Sequence, residues 1–314
     1  MALQDPLFWR SKILLAAIEA TYGTDAAPTG AANAIQATNV KLSPMNGSDV
    51  SRDLDTPWMG AQPTIPAELH MSLSFDVELA PSGAAGTAPA WGPLVRGCGC
   101  AETISAGISV TYNPVSDGHE AVTFYIWIGA TLYKATGARG SAKLSFTAQG
   151  VPKAEFTFQG LYVAPADAAP VTPDLSAFAK PLLATMSNTP TFTIGGTALV
   201  LRTFALDLGN KVENRFLIGR ENVMITDRAE MIDATVEATP LAYFDPFALA
   251  GAQTASAVQL VHGTTAGAIA TLDVPTAQMQ RPQDPASAQG IVEWPLRLVP
   301  LPAAGNDQWT LTLT

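Results

Sequence analysis

Apolar and polar residues alternate along several stretches of this chain, and the alternation restricts the fold to one built mainly from β-strands. In residues 71–79, for example, Met71, Leu73 and Phe75 alternate with two serines and Asp76. A period of two places all the apolar side chains on one face of a strand. The 24 prolines and 25 glycines separate such stretches, as turns between short strands do. The sequence therefore predicts a mainly β fold, a sandwich or barrel with little helix.

Two further segments support the β class. Residues 142–147 and 153–159 alternate on either side of Gln149-Gly150-Val151-Pro152, which predicts a hairpin with a Gly/Pro turn. Residues 122–128 are apolar at every position except Thr123. This pattern predicts a strand that is buried on both faces, or one that presents a face to a partner subunit.

Helix is predicted at three short places only. Residues 90–97 and 246–251 each end at a glycine, which favours a helix C-terminus. Residues 8–20 have apolar residues at loose helical spacing, and Pro6 stands where helix starts tolerate proline. We therefore expect a short N-terminal helix or arm.

The two halves of the chain carry similar landmarks in the same order. Five landmarks recur, and among them the Ala-Glu pair and the Ala-Gln-Gly turn are the easiest to follow. The offset between copies drifts from 162 residues (Glu68 to Glu230) to 140 residues (Gly150 to Gly290). Chance matches in an alanine-rich chain are the alternative, but the shared order favours a duplicated domain.

The predicted boundaries follow from a proline-rich segment near the middle of the chain. Residues 165–173 contain three prolines, which favours an extended spacer. We predict an N-terminal arm and first domain over residues 1–164, a linker over 165–174 and a second domain over 175–314. A length of 314 residues suits two domains of ordinary size.

Each half also contains a long polar excursion, at residues 43–66 and 209–227. A stretch of this length is a surface loop or long hairpin, or an arm that reaches a neighbouring subunit. Both excursions carry apolar side chains that have no obvious local core, which favours a partner. The candidate contact residues are Met45, Asp49, Arg52, Trp58, Met59, Arg215, Phe216, Leu217 and Arg220.

Net charge argues against a nucleic-acid-binding protein. The chain carries −10 overall, with −4 in residues 1–165 and −6 in residues 166–314. Neither half has a basic cluster, so tight phosphate binding is disfavoured. A negative surface instead repels DNA, which suits a conduit for DNA as well as an ordinary soluble protein.

The residues needed for catalysis or metal binding are scarce. The two cysteines, Cys98 and Cys100, and three histidines provide neither a disulfide framework nor a four-ligand metal site. The sequence has no Gly-x-Ser-x-Gly, His-Glu-x-x-His or phosphate-loop motif. Asp53 and Asp55 fit a solvated loop better than a catalytic carboxylate pair. We therefore expect that the protein is not an enzyme and that it binds neither a cofactor nor a metal ion.

The N-terminus lacks a basic region followed by an apolar segment of adequate length. We therefore expect neither a signal peptide nor a transmembrane helix, and folding in the cytoplasm of the cell that makes the protein.

Residues 12–30, which begin Lys-Ile-Leu-Leu-Ala-Ala-Ile-Glu-Ala-Thr-Tyr-Gly, resemble the opening of tail tube proteins from a group of siphophages. Residues 34–40 and the polar excursion after them are similar too. The resemblance covers roughly the first half of the chain, and the second half matches only through the internal repeat.

The resemblance implies a structural virion protein with tail-tube-like β-sandwich domains, each with a short helix and a long loop. Family members form rings of six domains that stack into a hollow tube, and a long loop contacts the adjacent ring. The tube carries the genome during ejection and polymerises around a tape-measure protein. A tail-tip initiator and a tail terminator are the further partners implied, and DNA passes without specific binding.

Most members have one tube domain and form hexamers, whereas this chain has two predicted domains. We therefore expect a homotrimeric, pseudo-hexameric ring, with a hexamer as the fallback, assembled in the host cytoplasm and located in the virion tail. One alternative is another phage structural component, such as a decoration or tail-tip module. The other is a carbohydrate-binding or hydrolytic β-sandwich, in which Trp91, Trp127, Trp294 and Trp309 line a groove.

Overall fold

The computed structural model describes residues 8–314 and consists mainly of antiparallel β-strands with two short helices. The predicted mainly β class is confirmed. Pro6 and the beginning of the predicted N-terminal arm lie outside the described residues.

The elements fall into two sets along the chain. The first set is β1 Lys12–Ile18, β2 Ala37–Ser51, β3 Thr64–Glu78, α1 Gly92–Gly97, β4 Cys100–Ser105, β5 Ser109–Pro114, β6 Val122–Ile128, β7 Thr131–Thr147 and β8 Lys153–Asp167. The second set is β9 Thr191–Ile194, β10 Thr197–Ala198, β11 Leu201–Asp207, β12 Asn210–Leu217, β13 Arg220–Arg228, β14 Met231–Glu237, α2 Pro246–Ala252, β15 Ala255–His262, β16 Ala270–Met279, β17 Ala286–Ala288, β18 Ile291–Pro300 and β19 Thr310–Leu313.

Six strands of each set pair in the same order. In the first set the order is β1-β6-β7-β8-β3-β2, with every pair antiparallel. In the second set it is β9-β15-β16-β18-β14-β11, again with every pair antiparallel. A helix follows β3 in one set and β14 in the other. We use counterpart below for residues that occupy the same place in these two orders.

Two strand pairs join the sets. The end of β7 pairs with β11 over five residue pairs, from Thr203 opposite Thr147 to Asp207 opposite Lys143. The C-terminal strand β19 pairs with both β16 and β5. One hydrophobic cluster extends through both sets, so the core is continuous along the chain.

The N-terminal segment forms a strand, and the predicted helix over residues 8–20 is wrong. Strand β1 pairs with β6 along its whole length, and Leu14, Leu15 and Ala16 are all buried. A strand that is buried on both faces has a continuous apolar sequence, which periodicity cannot distinguish from a short buried helix.

The two other predicted helices are present with slightly shifted bounds. At the start of α2 the Asp245 carboxylate accepts hydrogen bonds from the backbone N–H groups of Phe247 and Ala248. The other helix, α1, packs tightly at its end, because a Cβ on Gly97 would lie 2.5 Å from a methyl group of Val122. Two different local causes, a cap and a close contact, therefore fix the two helices.

The hairpin predicted over residues 142–159 is present as β7 and β8, and β6 is buried on both faces as predicted. Strand β8 extends through Asp167, so it includes the first residues of the predicted linker. The remainder of the linker packs on the first set, because Asp174 donates a backbone hydrogen bond to Gly30 at 2.8 Å.

The four tryptophans proposed to line a groove are all buried. Their exposed fractions are 1 % for Trp91, 4 % for Trp127, 7 % for Trp294 and 1 % for Trp309. They pack in the interior because such large apolar rings stabilise a core. The aromatic groove on which the carbohydrate-binding alternative depended is therefore absent from the described residues.

Candidate assembly surfaces

The polar excursion at residues 43–66 belongs to a long hairpin. The outer parts of β2 and β3 pair as far as Ser51 opposite Thr64, and residues 52–63 form the tip. We call residues 43–70 the first arm. Five of the candidate contact residues lie on it, and all are exposed: Met45, Asp49, Arg52, Trp58 and Met59.

The second excursion, residues 209–227, also belongs to a hairpin, and we call residues 209–229 the second arm. Strands β12 and β13 pair only with each other and are connected by the turn Ile218-Gly219. The remaining candidates lie at its far end, where Arg215, Leu217 and Arg220 are exposed and Phe216 is half-buried.

The structure brings the two arms together at one point. The ring centroids of His70 at the base of the first arm and Phe216 on the second arm are 6.3 Å apart. The two sets of candidate residues therefore belong to neighbouring hairpins.

Polar contacts hold the root of the second arm against the first set of strands. The Asn210 side-chain amide donates to the carbonyl oxygens of Cys98 at 2.6 Å and Gly140 at 2.9 Å. The Arg228 guanidinium donates to the carbonyl of Gly99 at 2.7 Å and to the Asn210 side-chain oxygen at 2.7 Å. These bonds connect the second arm to the carbonyl oxygens that follow α1 and to one carbonyl oxygen of β7.

A second contact holds the middle of the same arm. The Val223 backbone N–H donates to the Tyr22 hydroxyl at 2.6 Å, and Arg139 donates to the Val223 carbonyl at 3.0 Å. The Arg139 guanidinium also lies over the Tyr22 ring at 4.8 Å. Burial raises the pKa of Tyr22 above its ordinary value, so the hydroxyl stays protonated at neutral pH.

We call the four side chains that hold the second arm its clamp: Asn210, Arg228, Tyr22 and Arg139. Sequence reasoning missed all of them. They are far apart in the chain, and only the folded topology brings them together. The available signal was the position of Asn210 and Arg228 at the two ends of a polar excursion, which by itself indicates no partner.

Among residues 8–314, β2 and β17 are two of the strands that leave one edge without a β-partner. Strand β2 over residues 37–43 pairs with β3 on one side only. Strand β17 pairs with β18 on one side only. Unpaired edges of this kind are templates for pairing with another chain.

Other kinds of site find no support in the described part of the chain. Residues 8–314 contain no group of three His, Cys, Asp or Glu side chains arranged to hold a metal ion. Cys98 and Cys100 are buried free thiols, and burial raises the pKa of Cys100 to about 12, which disfavours a reactive thiolate. None of the helices in this range is both long and apolar enough to cross a membrane.

Comparison with known proteins identifies the family. The comparison with curated proteins found no match. A family model described as phage tail tube protein matches residues 9–304, which include both arms and every strand except β19. Because this match covers nearly the whole chain, the protein belongs to the phage tail tube protein family.

Proposed function

We propose that three copies of this chain close into a ring of six similar domains, and that such rings stack into the tail tube through which phage DNA is ejected. As a member of a phage tail tube family, the chain is a structural component of the virion tail. Membership of a structural family also argues for a role without catalysis.

The repeated strand order supports a duplicated domain. Two sets of six strands with one order, each followed at the same point by a helix and interrupted by one long hairpin, are what duplication of a single tube domain would leave. Three chains with two domains each would then supply the same six domains that six single-domain chains supply in a hexameric ring. Closed rings of this kind also pair edges that would be exposed in a free chain.

The join inside the chain indicates how the ring would close. Strand β11 lies against the end of β7, whereas its counterpart, β2 over residues 37–43, has no such neighbour among the described residues. Burial differs accordingly: Phe204 and Leu206 on β11 are buried, whereas their counterparts Val40 and Leu42 are half-exposed. The counterpart of the end of β7 is the segment around β17, so in the ring β2 of one copy would lie beside β17 of the next.

This second join would be weaker than the first. Pro282 and Pro285 precede β17, and proline has no N–H to donate to a ladder. Fewer hydrogen bonds would form there than across the five pairs of β7 and β11. Prolines near an edge also protect free chains from uncontrolled pairing.

Exposed apolar side chains lie at both sides of the proposed junction. Within the chain, residues before β9 cover the turn between β7 and β8: Gln149 donates to the Ala184 carbonyl, and Ala184 donates to the Gly150 carbonyl, both at 2.9 Å. The counterpart turn between β17 and β18 is followed by Ile291 and Val292, each 49 % exposed.

The residues that would cover this second turn are those before β1 of the next copy, just as the segment around Ala184 lies before β9. Phe8 and Trp9 occupy that place, and both are largely exposed. Their burial against Ile291 and Val292 would remove apolar surface from water.

Ring stacking is assigned to the two arms, with the nine candidate residues as contacts between rings. Trp58, Met59 and Leu217 are exposed apolar side chains, which favour burial against a partner. The tape-measure protein, the tail-tip initiator and the tail terminator are the proposed further partners. With a net charge of −10, DNA would pass through without specific binding.

A disulfide between copies tests the proposed ring. In the double variant Phe8→Cys with Ile291→Cys, mild oxidation should link chains into species of two and three on a denaturing gel. The native Cys98 and Cys100 are buried and should not react. Phe8→Cys paired with Ile218→Cys at the tip of the second arm is the matched control, in which no ring-closing link is expected. A series that continues to six chains, or no link at all in an assembled sample, would refute the three-chain ring.

A further inference from the structure

An open polar cleft lies in the second set of strands, at the end of α2. The residues that define it are Gln253 after the helix, Gln278, Met279 and Gln280 at the end of β16, and Arg297 on β18. Two contacts hold one wall of the cleft: Gln280 donates a backbone hydrogen bond to Arg297, and Arg297 forms an ion pair with Asp233, both at 2.8 Å. Nothing described so far occupies it.

We call Cys98 and Gly140, whose carbonyl oxygens accept from Asn210, the seat of the second arm. Strand pairing places the cleft at the counterpart of this seat. In the second set, Leu298 pairs with both Met279 and Ile232. In the first set, Phe158 pairs with both Gly140 and Leu73. Gly140 and Met279 are therefore counterparts.

The ends of the two helices give the same correspondence. Cys98 is the residue that follows α1 and Gln253 is the residue that follows α2, at the C-cap position in both cases. Cys98 and Gly140 carry the two carbonyls that accept hydrogen bonds from Asn210. Their counterparts, Gln253 and Met279, both line the cleft.

The counterpart of Asn210 is also an asparagine. Leu206 pairs with Ile232 and Leu42 pairs with Leu73, so Leu206 and Leu42 are counterparts. Four residues further along are Asn210 on the second arm and Asn46 on the first arm. Across their hairpins, Asn210 is paired with Arg228 and Asn46 is paired with His70.

Asn46 has none of the contacts that Asn210 makes. Among the described residues its side-chain amide donates only to the Ser72 hydroxyl, at 2.7 Å on the neighbouring strand β3. The His70 Nδ1 atom lies 2.9 Å from the Glu68 carbonyl, again within the arm. Asn46 at the root of the first arm therefore matches Asn210 but lacks its carbonyl partners within the described part of the chain. The cleft offers matching carbonyl groups, and no arm root of residues 8–314 binds there.

We infer that the cleft bounded by Gln253, Met279, Gln280 and Arg297 receives the root of the first arm of a second copy, with the Asn46 amide donating to the carbonyl oxygens of Gln253 and Met279. The inference rests on the proposed ring and adds a contact that closes it. It also gives the first arm a second role, because its root holds neighbouring copies together while its tip remains available for stacking.

Two measurements on the full chain test the inference. The first is the trimer dissociation constant, taken by solution mass over a concentration series, for wild type, Asn46→Ala and the matched control Ser48→Ala. Ser48 is exposed on the same strand two residues further out. We expect Asn46→Ala to weaken the trimer about tenfold or more, as loss of one or two buried hydrogen bonds does, and Ser48→Ala to leave it unchanged.

The second measurement is a disulfide between Asn46→Cys and Gln280→Cys. Links between chains that end at three support the inference. If trimers form but the link is absent and Asn46→Ala behaves like Ser48→Ala, the seat is wrong and the ring stands. A link within one chain also overturns the seat. If wild type forms no trimer at any concentration, even with tail-tip components, the ring itself is wrong and the inference falls with it.

Discussion

Asn210 fixes the position of the second arm through a single side-chain amide. It donates to two carbonyls, one after α1 and one on β7, and it accepts from Arg228. Asparagine suits this place because its amide supplies two donors and one acceptor site on a short side chain. Composition and periodicity could not identify it, since a lone asparagine at the start of a polar segment has many structural uses.

Replacing Asn210 by alanine should destabilise the folded chain by about 1–3 kcal/mol, because two buried carbonyl oxygens each lose a hydrogen bond from its amide. Chemical denaturation of the variant and wild type measures this difference. Lys211→Ala is the matched control, because the adjacent Lys211 is exposed and forms only a surface ion pair with Glu213, and its loss should cost less than about 1 kcal/mol. Equal stability of Asn210→Ala and Lys211→Ala would contradict the assigned role of the clamp.

Cys100 should make the protein sensitive to alkaline pH. Its ordinary pKa is 9.0, and burial raises that of the folded chain to about 12. The folded state therefore holds a proton that the unfolded state releases above pH 9. The stabilisation is complete below pH 9 and is lost as the pH rises toward 12, by about 1.4 kcal/mol per pH unit.

The free energy of unfolding of wild type and Cys100→Ala between pH 8 and pH 11 measures this effect. The variant should lose stability less steeply, by about one proton, whatever its stability at pH 8. Curves that run parallel from pH 8 to pH 11 would show that Cys100 does not carry the effect.

At the scale of elements, sequence alternation succeeds where a strand has one buried face. Strands β3, β7 and β8 were predicted because their inward residues are apolar and their outward residues are polar. Strand β1 was missed because it is buried on both faces. The two arms were predicted as surface loops, long hairpins or arms toward a neighbouring subunit, without strand bounds. The first arm is exposed along most of its length, so it has little apolar alternation to detect.

The contacts that hold the second arm could not be predicted, for a different reason. They join residues such as Tyr22 and Val223, which lie 201 positions apart. A single sequence carries no signal for a contact of that kind, and only the strand order brings the two residues together.

Shortening the first arm separates its two proposed roles. Replacement of residues 52–63 by an Asn-Gly turn would close β2 onto β3 without touching the arm root. Because these residues are exposed apart from the half-buried Gln62, the variant should fold with an unchanged melting temperature and form rings that fail to stack. Light scattering and electron microscopy under tube-forming conditions measure the stacking.

A variant of the second arm provides a comparison for this prediction. Leu217→Ser with Ile218→Ser removes two exposed apolar side chains at that tip without shortening the hairpin. Normal tubes from the shortened first arm would show that its tip takes no part in stacking. Loss of folding would show that the tip belongs to the core of the chain.

At the scale of the whole molecule, the chain contains one version of each of three contacts that the proposed ring would repeat. Strand β11 on β7, the second arm on its seat and the segment around Ala184 on the β7–β8 turn are all present between the two halves. The partners for a second version of each are exposed at opposite ends of the chain. Three copies placed head to tail would repeat these contacts around a closed ring and leave none unused.

The number of chains in one ring tests this account most directly. Electron microscopy of the purified protein, with a solution mass from the same sample, measures it. We expect hollow rings with six similar lobes and a mass of about 98 kDa, three times the 32.8 kDa of one chain. Rings of six whole chains, or a monomer that persists when tail-tip components are added, would contradict the three-chain ring.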